Sequence, residues 1–226
     1  MVLLCVPDDA IAAAAQAIAP GVGRGHVVIH VSGSRGLDVL EAVRDRGAAA
    51  MSLHPLQSFP DVATGVANLP GSGVAVTAAD EATATLGERL ARDVGGVPFR
   101  VDGSAKALYH AAAVFASNYL VTVEATAERL FRAAGIEDPV PLFEPLARAN
   151  LEAAFAAGPG AALTGPAVRG DAGTIRRNAE ALQREEPDAL SAYVALARLA
   201  AAIASAAGRL REKGRRVVDE ELDQWG

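Results

Sequence analysis

The sequence predicts an α/β fold in which a parallel sheet is followed by an all-helical domain. Three observations carry this. Up to Val101, short apolar runs alternate with helical segments over brief connections, the pattern of parallel strands joined by right-handed crossovers. From Ser104 onward only helical periodicity is found. The composition is 51% hydrophobic but 4% aromatic, and alanine supplies much of the apolar content, which suits closely packed helices. The expected boundaries are 1–102 for the sheet domain, 103–214 for the helical domain and 215–226 for a charged tail.

Val2–Val6 is apolar throughout, as a buried parallel strand reads, so Met1 stands at the start of a strand expected in the interior. In Pro7-Asp8-Asp9 either Asp can cap a helix over Ala10–Ala19, which Pro20-Gly21 ends. His26–Val31 is a second strand, Ser32-Gly33-Ser34 a turn, and Leu37–Arg46 a helix stopped by Gly47. Ala48–Leu53 is a third strand, running into His54-Pro55-Leu56-Gln57-Ser58-Phe59, and the turn formers of Pro60–Gly73 read as a loop. Strand Val74–Thr77, helix Glu81–Val94 and strand Val97–Val101 complete the sheet domain.

Asp102, Gly103 and Ser104 are acceptable N-cap residues for one long helix reaching Ala134 and closed by Gly135. At about 100° per residue, Lys106, His110, Ala113, Ser117, Glu124 and Glu128 share one stripe. Leu108, Phe115, Tyr119, Val123 and Leu130 lie across from it, with Asn118 between. Lys, His and Ser beside Ala suit a lined cleft; an amphipathic helix with a wet side is the competing reading. Further helices are expected over Val140–Ala157, Ala172–Glu185 and Pro187–Lys213, with a loop at Ala162–Thr174. Arg215–Gly226 reads as a surface helix or frayed tail, with Leu222 and Trp225 available to a partner.

Composition excludes several classes. The net charge of −6 and the lack of a basic stripe argue against nucleic acid. Cys5 is the single cysteine, which rules out internal disulfides and a Cys-based zinc site and fits a reducing compartment. No carboxylate or His cluster suggests a metal. No basic n-region or long uncharged run points to a signal peptide or a spanning helix, so a soluble, cytoplasmic chain is expected. Gly21-Val-Gly23-Arg-Gly25 follows a helix and precedes a strand, the wrong order for a phosphate loop, and reads as a connecting turn.

Leu3-Leu-Cys-Val-Pro-Asp-Asp-Ala-Ile11, Val31-Ser-Gly-Ser34, Ser52-Leu-His-Pro-Leu-Gln-Ser-Phe59, Lys106-Ala-Leu-Tyr-His110 with Asn118-Tyr-Leu-Val121, and Leu163-Thr-Gly-Pro-Ala-Val-Arg-Gly-Asp171 occur in this order. Together they resemble uncharacterised proteins that join a Rossmann-like domain to a domain of unknown function. Those are similar to pyrroline-5-carboxylate reductase and to the wider 6-phosphogluconate-dehydrogenase-like superfamily. The resemblance runs from Val2 to about Ala207. It implies an NADP-type nucleotide-binding domain followed by a helical domain that forms a homodimer. Members carry a glycine-rich turn upstream of the first matched strand, so the sheet domain is expected to be an incomplete, partial Rossmann-like unit.

The candidate site residues follow. Lys106 and His110, at i and i+4, meet on one helix face and resemble the Lys-x-x-x-Asn pair of hydroxyacid dehydrogenases in that superfamily. There Lys106 acts as general acid or holds a carboxylate and His110 relays a proton; a wet lysine and a histidine tucked against the sheet is the alternative. Asn118 contacts either substrate or a packed loop. Val6, Pro7, Asp8, Ser32, Gly33 and His54 sit at carboxyl ends of strands, where open α/β sheets bind ligands, and are the candidate NADP contacts; helix caps and a tight turn compete for Asp8 and for Ser32-Gly33. Thr164, Gly165, Arg169 and Asp171 resemble the substrate-gripping loop of pyrroline-5-carboxylate reductases, against an ordinary capped loop. The function expected is hydride transfer between a nicotinamide and a small carbonyl, imine or hydroxy-acid, in a cleft between sheet edge and helical domain. The alternative is a non-catalytic dimeric ligand-binding or scaffold protein. No membrane or nucleic-acid partner is expected.

Overall fold

The computed structural model describes residues 1–226. The chain divides into two compact units, Met1–Val121 and Thr122–Gly226.

The first unit is built on five strands in the order β1-β2-β3-β4-β5. They are β1 (Val2–Leu4), β2 (Val27–His30), β3 (Ala49–Pro55), β4 (Gly73–Ala78) and β5 (Val97–Arg100). β1, β2 and β3 pair in parallel, as do β4 and β5. β3 and β4 are antiparallel, which corrects the all-parallel expectation. The reason is local. Pro55 pairs with Val74, so the chain leaves β3 and enters β4 at the same edge and needs no crossover. The excursion holds a helix where a loop was expected, α3 (Val62–Asn68), whose first turn is capped by Asp61 accepting from Thr64 N–H at 2.9 Å. Within this chain β1 stands at one end of the strand order, with Leu3 55% exposed.

α1 (Ile11–Ile18) and α2 (Glu41–Arg44) bury Ile11, Ala15 and Val43 against Leu4, Val28 and Ala50. α4 (Glu81–Asp93) lies so close to Met51, Leu53 and Val76 that a Cβ at Gly87 would stand 2.8 Å from Val76. Ala50 and Met51 are successive strand residues, so the two sets of helices cover opposite faces of the sheet.

The expected long helix is two helices, α5 (Lys106–Ala116) and α6 (Asn118–Ala133), broken at Ser117 with φ −130° and ψ −68°. α5 belongs with the sheet, because Lys106 is anchored beneath it. α5 accordingly falls within the first unit, which runs to Val121. The polar stripe of α5 turns inward, and its apolar side faces out, with Leu108 77% and Phe115 59% exposed.

The second unit contains α7 (Val140–Ala157), α8 (Pro159–Ala162), α9 (Pro166–Arg169), α10 (Ala172–Glu185), α11 (Leu190–Ala206) and α12 (Glu212–Leu222). Its core joins Ile175, Val194, Ala197, Ala201, Ala204, Leu210, Val218 and Leu222. The expected tail is thus a packed helix: Val218 and Leu222 are fully buried, and Glu221 is buried in an ion pair with Arg176 while accepting from Trp225 Nε1–H at 3.1 Å. Pro187–Ala206 is apolar and long enough to cross a membrane, with a mean hydropathy of 1.6. Asp188 and Arg198 interrupt it, so no long uncharged run marks it in the sequence. Four of its residues are buried in the unit's own core.

Candidate functional site

The parallel register puts the carboxyl ends of β1, β2 and β3 on one edge, and the residues just beyond them converge there. After β1, Val6, Pro7 and Asp8 are exposed. α1 begins with no side-chain cap, so neither Asp8 nor Asp9 caps it. The Asp8 carboxylate instead accepts from the hydroxyls of Ser32 (2.6 Å) and Ser34 (2.8 Å) in the turn after β2. Partial desolvation pushes its carboxyl up, but the two hydroxyls together with the charges of Arg35 and His110 outweigh that and hold it below the usual carboxylate range.

The turn is itself tied down. Ser32 Oγ accepts from the backbone N–H groups of Ser34 and Arg35, at 3.2 and 3.1 Å. Ser32 N–H donates to His30 Nδ1 at 3.2 Å, so the neutral ring carries its proton on Nε2 and donates it to the Gly36 carbonyl at 3.0 Å. Burial favours that neutral form by lowering the His30 pKa.

Lys106, at the start of α5, reaches under this turn. Its Nζ donates to the Ser32 carbonyl at 2.7 Å and to Ser52 Oγ at 2.9 Å, while Ser52 Oγ donates to the same carbonyl at 3.1 Å. Only 1% of Lys106 is exposed, and burial brings its pKa from 10.5 down to about 8, against the opposing pull of Asp8. The ammonium thus ties the ends of β2 and β3 together and does not line an open cleft.

The next turn of α5 supplies Tyr109 and His110. Tyr109 Oη and His54 Nδ1 are hydrogen-bonded at 2.8 Å, and the Tyr109 ring stands edge-on to both His54 and Phe99. The His54 and His110 rings stand edge-on to one another with centroids 6.3 Å apart. Gly33 fits between them because it has no side chain: a Cβ there would lie 2.7 Å from His110 Cδ2 and 2.7 Å from His54 Nε2. Burial, reinforced by the Lys106 and His110 charges, takes the His54 pKa to about 4, so that ring is neutral at physiological pH. Burial raises the pKa of Tyr109, which keeps its proton. Beside this group opens a cavity of about 810 Å³ whose wall includes His54, Tyr109, His110 and Asn118, all from the first unit. Asn118, expected in mid-helix, stands at the break between α5 and α6, where its Oδ1 accepts from Ser117 Oγ at 3.1 Å.

The structure therefore gathers Asp8, Ser32, Gly33, His54, Lys106 and His110. The second-unit candidates cluster around the start of α10: Thr164 and Arg169 are exposed, Gly165 precedes α9, and Asp171 caps α10 through Thr174 N–H at 3.0 Å. Tyr109, Ser52 and His30 are site residues that the sequence pattern does not nominate. Tyr109 follows Lys106 by three residues, which puts it on the same helix face. Ser52 and His30 are polar residues in otherwise apolar strands, the one signal that could have found them.

Residues 1–55 match the Rossmann-like domain family. Residues 72–200 match the family described as domain of unknown function DUF2520. No curated protein matches the sequence. Among solved structures, a Bacteroides fragilis protein provisionally named as an NADP oxidoreductase is 22% identical, with a TM-score of 0.72 over 88% of this chain and 74% of that one. A Thermotoga maritima protein named only by its locus is 24% identical, with a TM-score of 0.70 over 91% and 78%. An Aspergillus terreus reductive aminase in complex with NADPH and ethyl levulinate is 15% identical, with a TM-score of 0.56 over 99% and 78%. At these identities the likeness is one of fold: a Rossmann-like α/β unit with a helical C-terminal part. Since the second match spans more than half of the sequence, the chain belongs to the DUF2520 family, behind a Rossmann-like domain.

Proposed function

We propose that this protein is an NADP(H)-dependent oxidoreductase acting on a small carbonyl, imine or hydroxy compound. The observation that carries the reading is the convergence, beside the cavity, of three strand ends with the inward face of α5. Ligands of open α/β sheets bind beyond the carboxyl ends of the strands. The names of the Bacteroides and Aspergillus proteins support the same class.

The donor set fits the ribose and nicotinamide end of the nucleotide. Asp8 is an ionised acceptor fixed by two serines, next to a turn built around buried Gly33. Val6, Pro7, Asp8, Ser32, Gly33 and His54 would hold that end. The nicotinamide, when bound, gives or takes the hydride. The chain's own residues do the rest. Lys106 fixes the Ser32 turn against Ser52, His54 and His110 sit on either side of Gly33, and Asn118 lines the far wall. The test is NADPH titration followed by fluorescence, together with NADPH consumption over a panel of ketones and imines. The absence of both binding and consumption would refute the reading.

The helical unit supports a homodimer. α6 and α7 contain no buried residue, and Leu142, Leu146 and Phe155 are 70%, 64% and 83% exposed. That surface also favours a second reading, a non-catalytic dimeric binding protein. A dimer in sedimentation that binds ligand but moves no hydride would select it.

A further inference from the structure

We propose that the cavity takes an uncharged carbonyl or imine compound with an apolar body, and that Tyr109 both holds and protonates its polar atom. The proton-transfer half rests on the oxidoreductase reading above; the preference for an uncharged ligand rests on the cavity wall alone.

No Asp, Glu, Lys or Arg lines the cavity. Much of the wall is apolar, including Leu56, Phe59, Phe99 and Val114, and Gln57 and Asn118 add uncharged amides. Lys106, whose Nζ lies 6.0 Å from the centroid of the Tyr109 ring, is committed to Ser32 and Ser52 and is 1% exposed. A carboxylate or phosphate entering here would give up water for a wall that offers no Lys or Arg to replace it. An apolar body would lose nothing comparable. Pockets of this kind recognise ligands by shape and by a few placed polar groups.

Two of those groups, Tyr109 and His54, form a single hydrogen-bonded unit at 2.8 Å. A carbonyl or imine offers only an acceptor, so Tyr109 must donate to it, and His54 must then donate Nδ1–H to the phenol oxygen. Neutral His54 has a tautomer that does this, and Phe99 and His54 fix the ring edge-on from two sides. In reduction the hydride carries the electron pair to the carbonyl carbon, the C=O π bond breaks, and its oxygen takes the Tyr109 proton. The tyrosinate so formed is held by His54 Nδ1–H and regains a proton from water. Atoms and charge balance with NADPH as reductant.

The test uses a matched pair, benzylacetone and benzylpyruvate, which differ in carrying a methyl or a carboxylate on the carbonyl. Affinity is read by ligand-observed NMR with the full chain, with and without NADP⁺, and turnover by NADPH consumption. The expected result is benzylacetone binding at least about tenfold tighter than benzylpyruvate, with Ala113→Trp, which fills the cavity, weakening it by a similar factor. Tyr109→Phe should cut kcat by about a hundredfold or more while KM changes far less. Equal or tighter binding of benzylpyruvate, ketone binding indifferent to Ala113→Trp, or wild-type turnover by Tyr109→Phe would each overturn the proposal. Ketone binding in the cavity without NADPH consumption would overturn the oxidoreductase reading and the proton transfer with it, and would leave the preference for an uncharged ligand standing.

Discussion

Replacing Lys106 by Met removes the charge at the centre of the site while keeping most of its volume. The informative quantity is the pH dependence of the loss, because at neutral pH the lost hydrogen bonds and the relieved burial of the ammonium oppose one another. The folded-state pKa of about 8 lies below the ordinary 10.5. Between these values the unfolded chain binds more protons than the folded one, so stability rises with pH in that window. Below about pH 8 the lysine is charged in both states and its burial weighs fully against folding. Integrated from about pH 7 to about pH 10, the lysine contributes about 2.5 kcal/mol of rising stability. Urea unfolding of both proteins across that range should therefore show wild type gaining about 2.5 kcal/mol over Lys106→Met. Because the Lys106 charge also depresses His54, the His54 midpoint should move up from about 4 in the variant. A stability difference that stays constant from about pH 7 to about pH 10 would refute the burial argument and the anchoring role built on it.

Three further outcomes follow from the same geometry. Gly33→Ala places a Cβ 2.7 Å from both histidines, and should cost about 1–3 kcal/mol in urea unfolding and shift the His54 and His110 ring proton resonances. Unchanged spectra would contradict the close packing. The His54 ring should titrate near 4 by NMR, with the folded chain losing stability as pH falls from about 6.5 toward that value; a midpoint near the unperturbed 6.5 would place it in water. Removing residues 212–226 strips the fully buried Val218 and Leu222 from the helical core, a loss of about 3–6 kcal/mol for two such side chains. A truncated chain as stable as the full one would restore the view of this segment as a tail.

The strands were legible because buried β runs are continuously apolar, and each of the five expected segments overlaps an observed one. Strand direction was not, since an apolar run reads the same whichever way it pairs, and only the Pro55–Val74 register reveals the antiparallel step. α3 was passed over for its flanking Pro and Gly, although Asp61 and Thr64 repeat the cap that Asp80 and Thr83 make at α4. The break at Ser117 has neither Gly nor Pro to announce it. Helical periodicity put Lys106 and His110 on one face but left open which way that face turns. The answer, inward, lies in the contacts of Lys106 with Ser32 and Ser52, far off in sequence. For the same reason neither the contacts of Lys106 nor the place of Tyr109 in the cavity wall is legible in the spacing.

The central claim is that this site moves a hydride between NADPH and a carbonyl or imine carbon. The most direct measurement is incubation with NADPH deuterated in turn at each face of the nicotinamide, with a ketone and imine panel, and mass spectrometry of the products. The expected result is one deuterium on the former carbonyl or imine carbon from one face only, greatly slowed in Tyr109→Phe. Substrates recovered without deuterium from either face, with NADPH intact, would contradict it.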